Sequence, residues 1–263
     1  MTLLLNDTQS VPYVDRPSST GRVRPAASVI DAVKVFGSAD TSVRALDGVN
    51  VDFERSKFTA IMGPSGSGKS TLLHCAAGLS TLTSGRVVIG DTDLTSLDDR
   101  RLTRVRRDRI GFIFQAFNLL PTLTAAENIT LPLALAGKRV DQSWFDLIVD
   151  VVGLGNRLTH RPSELSGGQQ QRVAAARALI SRPEIVFADE PTGNLDSRAS
   201  AELLNFLRLA VDEFEQTVVM VTHDPVAASK ADRIVFLADG QVIDEMVAPT
   251  AERAIEHMKH LEC

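Results

Sequence analysis

The sequence predicts an α/β fold in which a parallel sheet covered by helices lies beside an antiparallel sheet. Compact apolar runs bounded by charged residues alternate with helix-like segments, a pattern typical of a parallel sheet. These runs are Ile110 to Phe114, Ile185 to Ala188 and Val218 to Val221. Other runs rich in β-forming residues predict the antiparallel sheet. They are Val29 to Val35, Val49 to Phe53, Phe58 to Met62 and Val87 to Ile89.

The region 117–161 departs from this alternation and is predicted to be an inserted helical subdomain. Its helix-like stretches include Ala125 to Ile129 and Trp144 to Val152. We expect Pro132 and the segment Gly153 to Gly155 to interrupt them, because proline and glycine break helices.

The last part of the chain predicts a β-hairpin and a terminal helix. Apolar runs at Arg233 to Leu237 and Gln241 to Ile243 flank an Asp-Gly pair, which supplies the positive φ angles of a type I′ turn. The helix is predicted over Ala251 to Leu261.

Composition and charge limit the classes of function. The chain has 263 residues, of which 44% are apolar, enough for a buried core over 28–263. Residues 1–27 are rich in Ser, Thr, Pro, Arg and Asp, which predicts a flexible tail. The net charge of -5 argues against a broad basic face, so we expect no nucleic acid partner.

No segment for membrane crossing or secretion is predicted. No apolar run approaches the roughly 20 residues of a membrane span. Leu3 to Leu5 lack a preceding positive charge, so we expect no secretory signal and a cytoplasmic location. The cysteines, Cys75 and Cys263, have no metal-type spacing, and Cys75 is expected to pack in a helix.

A nucleotide triphosphate site is predicted directly after Phe58 to Met62. The pattern of a glycine, four free positions and Gly-Lys-Ser is filled by Gly63, Pro64, Ser65, Gly66, Ser67, Gly68, Lys69, Ser70 and Thr71. Glycines let successive N–H groups converge on phosphate oxygens, while Lys69 reaches the β- and γ-phosphates and Ser70 can ligand Mg²⁺. A helix predicted over Lys69 to Ala77 points its positive end at the phosphates. The alternative is a Gly/Ser-rich surface turn.

Two consecutive acids, Asp189 and Glu190, end the strand-like run Ile185 to Ala188. Ligands of open α/β sheets bind at the carboxyl edge of the strands, which is where both carboxylates are expected. We expect Asp189 to hold Mg²⁺ and Glu190 to polarise the attacking water. The alternative is that the two acids begin a solvated loop.

A second anion site is predicted at Leu165 to Gln169, which we call the signature segment. Ser166 and two glycines precede Gln170 to Leu179, a stretch with apolar residues at helical spacing and no helix breaker. Free N–H groups and the positive end of a helix can bind an anion there, with the Ser166 hydroxyl as a further donor. The alternative is a plain helix cap.

At these residues the sequence resembles the ATP-binding subunits of ABC transporters, over roughly Val29 to Val247. Gly63 to Thr71 is similar to the family's Walker A, Leu165 to Gln169 to its signature, and Asp189-Glu190 to the end of its Walker B. Three further matches occur in the family's order: Gln115 to the Q-loop, Gly193 to Asp196 to the D-loop, and Val221 to Asp224 to the switch segment. The resemblance implies a RecA-like P-loop NTPase core.

The resemblance also implies a mechanism in which two cassettes face head to tail and enclose two ATP molecules. Lys69, Ser70 and the loop amides would bind phosphate and Mg²⁺, and Ser166 and Gly168, with Gln169 beside them, would clamp the γ-phosphate of the opposite ATP. The remaining roles implied are a base at Glu190, a γ-phosphate contact at His223, Mg²⁺ and water sensing at Gln115, dimer organisation at Asp196, and adenine stacking by Phe36 in place of the usual Tyr. A core position for Phe36 is the alternative.

Local runs favour the branch of macrolide exporters, lipoprotein-release systems and cell-division relatives. These runs are Phe117 to Pro121, Glu127 to Leu133 and Pro191 to Ser197. The resemblance then implies a membrane permease partner and export, extrusion or force transmission, with the cassette peripheral on the inner face of the membrane. The alternatives are an ATPase that regulates cell-wall hydrolysis through a membrane partner and a soluble ABC ATPase unconnected with transport.

The arginine-dense stretch Arg100 to Arg109 admits two interpretations. Clustered arginines can bind nucleic acid, but Asp98, Asp99 and Asp108 are interleaved with them. We therefore favour a solvated helix face.

Overall fold

The computed structural model describes residues 24–37 and 41–261. Most of the predicted tail, residues 1–23, lies outside the described residues. Ala26 is fully buried and donates its N–H to the Phe53 carbonyl, and the first strand begins at Ala27. The folded part of the chain therefore begins slightly before the predicted boundary at residue 28.

The described residues form ten strands and eight α-helices. The strands are β1 (Ala27–Phe36), β2 (Val43–Phe53), β3 (Phe58–Met62), β4 (Ser84–Ile89), β5 (Thr92–Asp93), β6 (Ile110–Phe114), β7 (Ile185–Asp189), β8 (Val218–Val221), β9 (Arg233–Ala238) and β10 (Gln241–Val247). The helices are α1 (Lys69–Ala76), α2 (Asp99–Arg109), α3 (Ala125–Leu135), α4 (Gln142–Val151), α5 (Gly167–Leu179), α6 (Ser197–Phe214), α7 (Pro225–Ala228) and α8 (Ala251–Leu261).

Two sheets confirm the predicted fold class. The smaller sheet has the order β2-β1-β4-β5 and is antiparallel throughout. The larger sheet has the order β10-β9-β3-β8-β7-β6, in which every pair is parallel except β9 with β10. Grouping Phe58 to Met62 with the antiparallel strands was wrong, since β3 lies inside the parallel sheet. All five of its residues are buried, as expected for a strand covered on both faces.

The two faces of the parallel sheet contact different layers. Ala60 and Ala188 belong to an apolar cluster that includes buried residues of α3, α5 and α6. Their strand neighbours Ile61 and Phe187 belong to a second cluster with α1 and the antiparallel sheet. Because side chains alternate along a strand, each strand contributes to both cores.

Helix α3 differs from the prediction, because it passes through Pro132 without ending there. A capping box between Thr124 and Glu127 fixes its start. Ile129 and Leu133 are buried on the same side, one turn apart, so the apolar face continues across the proline. Packing therefore outweighs the loss of one helical hydrogen bond.

The remaining predicted elements are present. Asp239 and Gly240 have φ values of 47° and 74°, as the type I′ turn between β9 and β10 requires. Cys75 is buried in α1. None of the helices in residues 24–37 and 41–261 is both long and apolar enough to cross a membrane.

The arginine-dense stretch forms α2, none of whose residues is buried. Arg107 pairs with Asp108, and Arg109 pairs with Glu184 and Asp91. These ion pairs support the interpretation as a solvated helix face.

Candidate functional site

The predicted chemical groups follow the carboxyl ends of four adjacent parallel strands. The phosphate loop follows β3, Thr222 and His223 follow β8, Asp189 ends β7, and Gln115 follows β6. Neighbouring parallel strands end at the same edge of a sheet, which gathers these segments although they are far apart in the sequence.

The phosphate loop, Gly63 to Thr71, is shaped by glycines that no other residue could replace without strain. Gly63 has φ 153°, and a Cβ there would lie 1.9 Å from the Leu237 carbonyl oxygen. Gly68 has φ 99°, and a Cβ there would lie 2.2 Å from the Ala45 carbonyl oxygen. The loop is therefore pressed against two neighbouring segments, and its backbone N–H groups stay uncovered by side chains.

Helix α1 begins at this loop without a side-chain cap. Its N-cap is Gly68 in the left-handed conformation, and no side chain accepts a hydrogen bond from its first turn. The Ser67 hydroxyl is buried and has no hydrogen-bond partner. Uncapped N–H groups, an unpartnered hydroxyl and the positive helix end together fit a phosphate group.

Lys69 folds back onto the loop. Its Nζ donates to the carbonyl oxygens of Gly63 at 3.0 Å and Pro64 at 2.6 Å. Burial lowers the pKa of Lys69, and the negative charges of Glu190 and Asp189 oppose that effect. The ammonium group thus lies in a partly desolvated place where an anionic partner would be favourable.

Asp189 lies next to the start of α1. The Ser70 hydroxyl donates to Asp189 Oδ1 at 2.8 Å, and His74 Nε2 lies 3.1 Å from Asp189 Oδ2, outside good hydrogen-bond geometry. A hydroxyl and a carboxylate beside a phosphate site are the oxygen ligands that Mg²⁺ prefers. In the part of the chain that the structure describes, no group of three or more His, Cys, Asp or Glu is placed to hold a metal ion.

Glu190 occupies a strained backbone position. Its φ is 45°, and its N–H donates to the Val221 carbonyl at 3.0 Å. Oε1 lies 2.9 Å from His223 Nδ1, while Oε2 is buried without a hydrogen-bond partner. A left-handed non-glycine residue costs on the order of 1–3 kcal/mol, and such strain clusters at active sites. The hydrogen bond to Val221 and the contact with His223 hold the strained residue at the sheet edge, next to an exposed imidazole.

Gln115 contacts the D-loop rather than the carboxylates. Its amide nitrogen lies 3.4 Å from Asn194 Oδ1, and Asn194 Nδ2 donates to the Gln115 carbonyl at 3.0 Å. A Cβ on Gly193 would lie 2.7 Å from the same amide nitrogen of Gln115. The glycine therefore leaves space for the Gln115 side chain.

The signature segment forms a regular helix cap. The Ser166 hydroxyl accepts from the Gln169 N–H at 3.3 Å, and Gln169 Oε1 accepts from the Ser166 N–H at 2.9 Å. The helix-cap interpretation is therefore realised, and it leaves the hydroxyl proton of Ser166 free to donate outward.

A second helix begins beside the signature segment. Asp196 caps α6 by accepting from the Ala199 N–H at 2.8 Å, and a Cβ on Gly168 would lie 2.7 Å from Ala199 Cβ. A cavity of about 430 Å³ is lined by both helix starts. Arg172 and Arg198 in its wall both pair with Glu202, and Asp196 adds a second carboxylate, so the charged side chains of the wall balance.

Phe36 ends β1 with 47% of its surface exposed, which excludes the alternative of a core position. Lys34 Nζ lies 4.8 Å from the centre of its ring. The exposed ring is free to stack on a planar ligand.

Sequence reasoning missed three side chains around the site. His74 faces Asp189, whereas Gln171 and Arg177 of α5 bind backbone carbonyls of other loops. A Gln on the apolar face of a helix was a signal that could have singled out Gln171; no comparable signal marked the others.

Comparisons with known proteins find a matching family and similar relatives. The family model described as ABC transporter matches residues 46–193. Over 223 residues, or 84% of the chain, the sequence is 43% identical to the macrolide export ATP-binding/permease protein MacB of Hyphomonas neptunium, of which it covers 34%. It is 42% identical to the bacitracin export ATP-binding protein BceA of Halalkalibacterium halodurans, over 81% of this chain and 85% of BceA.

A solved structure is also similar. It is the dimeric post-hydrolysis state of the ATP-binding cassette MJ0796, bound to ADP and Pi, from Methanocaldococcus jannaschii. The TM-score is 0.77 at 40% identity, with 84% of this chain and 98% of that chain covered. The chain spans about a third of the length of the macrolide export relative and most of the length of the cassettes.

Proposed function

The chain belongs to the ABC transporter family as an ATP-binding cassette, and on that premise we propose that two copies of it hydrolyse ATP between them and drive a membrane permease. The observation that carries the proposal is the assembly of Ser70, Asp189, Glu190 and His223 at one sheet edge beside the phosphate loop. The groups proposed to bind the nucleotide, the metal ion and the attacking water therefore lie at the same edge of the sheet.

ATP binds at the phosphate loop. The backbone N–H groups of Gly63 to Thr71 and the positive end of α1 hold its phosphates. On ATP binding, the Lys69 ammonium leaves the Gly63 and Pro64 carbonyls and donates to phosphate oxygens instead. The new hydrogen bonds are stronger because the phosphate oxygens are negatively charged and the carbonyls are neutral. Phe36 stacks on the adenine ring.

Ser70 and Asp189 would hold Mg²⁺ beside the bound phosphates, and Gln115 would reach the ion by releasing its contact with Asn194. Ser70 and Asp189 already lie in contact, and Gln115 follows the strand next to β7. When bound, Mg²⁺ neutralises the charge on the phosphate oxygens.

Glu190 orients and polarises the attacking water, and His223 contacts the γ-phosphate. Oε2 of Glu190 has no partner in the structure, so it can accept a hydrogen bond from water. The Glu190–His223 contact keeps the imidazole at the same edge of the sheet.

The complete site needs two chains. Ser166, Gly168 and Asp196 line a cavity that includes no residue of the phosphate loop, and Gln169 pairs with Ser166 beside it. We infer that this cavity receives the γ-phosphate held by a partner chain, so that the dimer encloses two ATP molecules. The dimeric cassette with ADP and Pi supports this arrangement.

Export, extrusion or force transmission is the transport mode that we propose. The macrolide and bacitracin export relatives support it. The cassette would then lie at the inner face of the cell membrane, bound to its permease.

The decisive test replaces Glu190 by Gln. The amide keeps the size of the side chain but cannot act as a base, so hydrolysis should fall about 10² to 10⁴-fold while ATP still binds. The closed dimer should accumulate with ATP and Mg²⁺, as measured by size-exclusion chromatography with light scattering.

A matched control is Glu213→Gln in α6, an exposed acid away from the site. It should hydrolyse ATP like the unchanged protein. Near-normal turnover in Glu190→Gln would remove Glu190 from its role, and hydrolysis strictly linear in protein concentration down to dilute solutions would contradict the shared site.

A further inference from the structure

Helix α5 makes contacts beyond the signature segment at its start. We propose that Arg177 is a positioning residue that fixes the turn after Gln115 and thereby ties Gln115 to the signature helix. This inference rests on the proposed ATPase function, in which Gln115 contributes to the metal and water site.

The turn after Gln115 is intrinsically unfavourable. Phe117 and Asn118 have φ values of 60° and 50°, so two consecutive non-glycine residues are left-handed. That conformation brings Cβ close to the following carbonyl oxygen, so it is disfavoured for residues other than glycine. Within the turn, the Asn118 N–H donates to the Ala116 carbonyl at 2.6 Å.

Arg177 binds both strained residues at once. One guanidinium nitrogen donates to the Asn118 carbonyl at 2.7 Å and another to the Phe117 carbonyl at 2.9 Å. The planar fork of arginine suits two neighbouring acceptors, which a lysine cannot match. The Phe117 ring also covers the helix start, since a Cβ on Gly167 would lie 3.7 Å from its Cζ.

The guanidinium occupies this place at a cost. Burial lowers the pKa of Arg177, and no carboxylate charge offsets that effect. Within the described parts of the chain, no carboxylate charge acts on Arg177. An unpaired, partly buried cation is unfavourable unless its hydrogen bonds compensate, and here those bonds go only to the turn.

A second side chain of α5 holds the other side of Gln115. The buried Gln171 donates from its amide to the Phe114 carbonyl at 3.2 Å and the Pro191 carbonyl at 2.7 Å. Phe114 directly precedes Gln115, and Pro191 directly follows Glu190. Gln115 is therefore bracketed by two anchors from one helix, and Arg177 is the anchor on its loop side.

The test compares steady-state ATP hydrolysis in full-length Arg177→Met and the unchanged protein. Methionine keeps an unbranched stem without donors, so we expect kcat to fall about 10 to 100-fold through misplacement of Gln115. KM for ATP should stay within about twofold, because the phosphate loop makes no contact with Arg177. Arg104→Ala, at an exposed position in α2, is the control and should leave both unchanged.

Two further measurements separate positioning from a general structural role. Amide hydrogen exchange should become faster in residues 115–119 of Arg177→Met and stay unchanged in α1. Adding Asn118→Gly should raise kcat of Arg177→Met at least about threefold, since glycine adopts positive φ without steric cost. If Arg177→Met does not fold, Arg177→Lys is tested by the same measurements, with a smaller loss expected because one donor group remains.

Three results would overturn the proposal. They are an unchanged kcat in a folded Arg177 variant, faster exchange spread over the whole protein, and no gain from Asn118→Gly. The exchange measurement needs no hydrolysis. If the unchanged protein lacked ATPase activity, the proposed function would fail while the anchoring of the turn would still be decided.

Discussion

The phosphate loop and the signature segment are both glycine- and serine-containing helix starts, yet they are built in opposite ways. Helix α1 begins at a left-handed glycine and has no side-chain cap. Helix α5 begins at Ser166, which forms a complete capping box with Gln169. The N–H groups in the first turn of α1 are therefore available to a ligand, whereas in α5 the capping box already satisfies some of them.

Under the proposed function, this difference divides nucleotide binding and dimer closure between the two helix starts. A loop pressed against Leu237 and Ala45, with the Ser67 hydroxyl unpartnered, is preorganised to hold phosphate in a single chain. A helix start that is already capped gains less from an anion, so it suits a second contact made on dimer closure. Binding and closure should therefore respond separately to substitutions.

The largest expected effect is that of Gly63→Ala on stability. The new Cβ would meet the Leu237 carbonyl oxygen, and backbone must move to accommodate it. We expect a loss of at least about 3 kcal/mol in the free energy of unfolding, from overpacking and strain combined. Urea unfolding at equilibrium measures it as a lower midpoint.

Gly66→Ala is the matched control in the same loop. Gly66 has φ 79°, but a Cβ there would meet nothing within 4 Å. Only the backbone strain of about 1 kcal/mol should remain. Equal losses in the two variants would mean that contact with Leu237 does not shape the loop.

The larger part of the fold could be predicted from the sequence because strand ends and helix starts are local. Runs such as Ile110 to Phe114 and the Asp-Gly turn at residue 239 have bounds that local patterns determine. The rule that parallel strands end at one edge then gathers Gln115, Asp189 and His223. Periodicity alone could not place β3 among parallel strands, because a short buried run has the same pattern in either kind of sheet.

Contacts between distant segments could not be predicted. Gln171 and Arg177 act through backbone carbonyls of Phe114, Phe117, Asn118 and Pro191, which carry no side-chain signal. Pro132 continues α3 because buried neighbours outweigh its helix-breaking tendency. Both the contacts of α5 and the continuation of α3 depend on tertiary packing, which a local sequence pattern does not reveal.

The second expected effect concerns ATP affinity. Lys69→Ala removes a charged donor to phosphate, which should weaken ATP binding about 10 to 100-fold. Burial lowers the pKa of Lys69, so its charge is partly desolvated. Removing that charge also removes the cost of desolvating it, which offsets part of the expected loss of ATP affinity.

Isothermal titration with ATP and Mg²⁺ measures this affinity. Lys57→Ala, an exposed lysine just before β3, is the control and should bind ATP normally. Unchanged affinity in Lys69→Ala would mean that, in the unchanged protein, the Lys69 ammonium stays on the Gly63 and Pro64 carbonyls when ATP is bound.

The smallest expected effect, and the one that best separates the two helix starts, is that of Ser166→Ala. Loss of the cap should cost about 1 kcal/mol of stability. Thr124→Ala removes the equivalent capping box of α3 and should cost a similar amount.

In a single chain, neither variant should alter ATP affinity, because neither cap belongs to the phosphate loop. Only Ser166→Ala should weaken ATP-dependent dimerisation in the Glu190→Gln background, as measured by light scattering. If both cap variants weakened it equally, the effect would come from helix stability, and the Ser166 hydroxyl would have no part in closing the dimer.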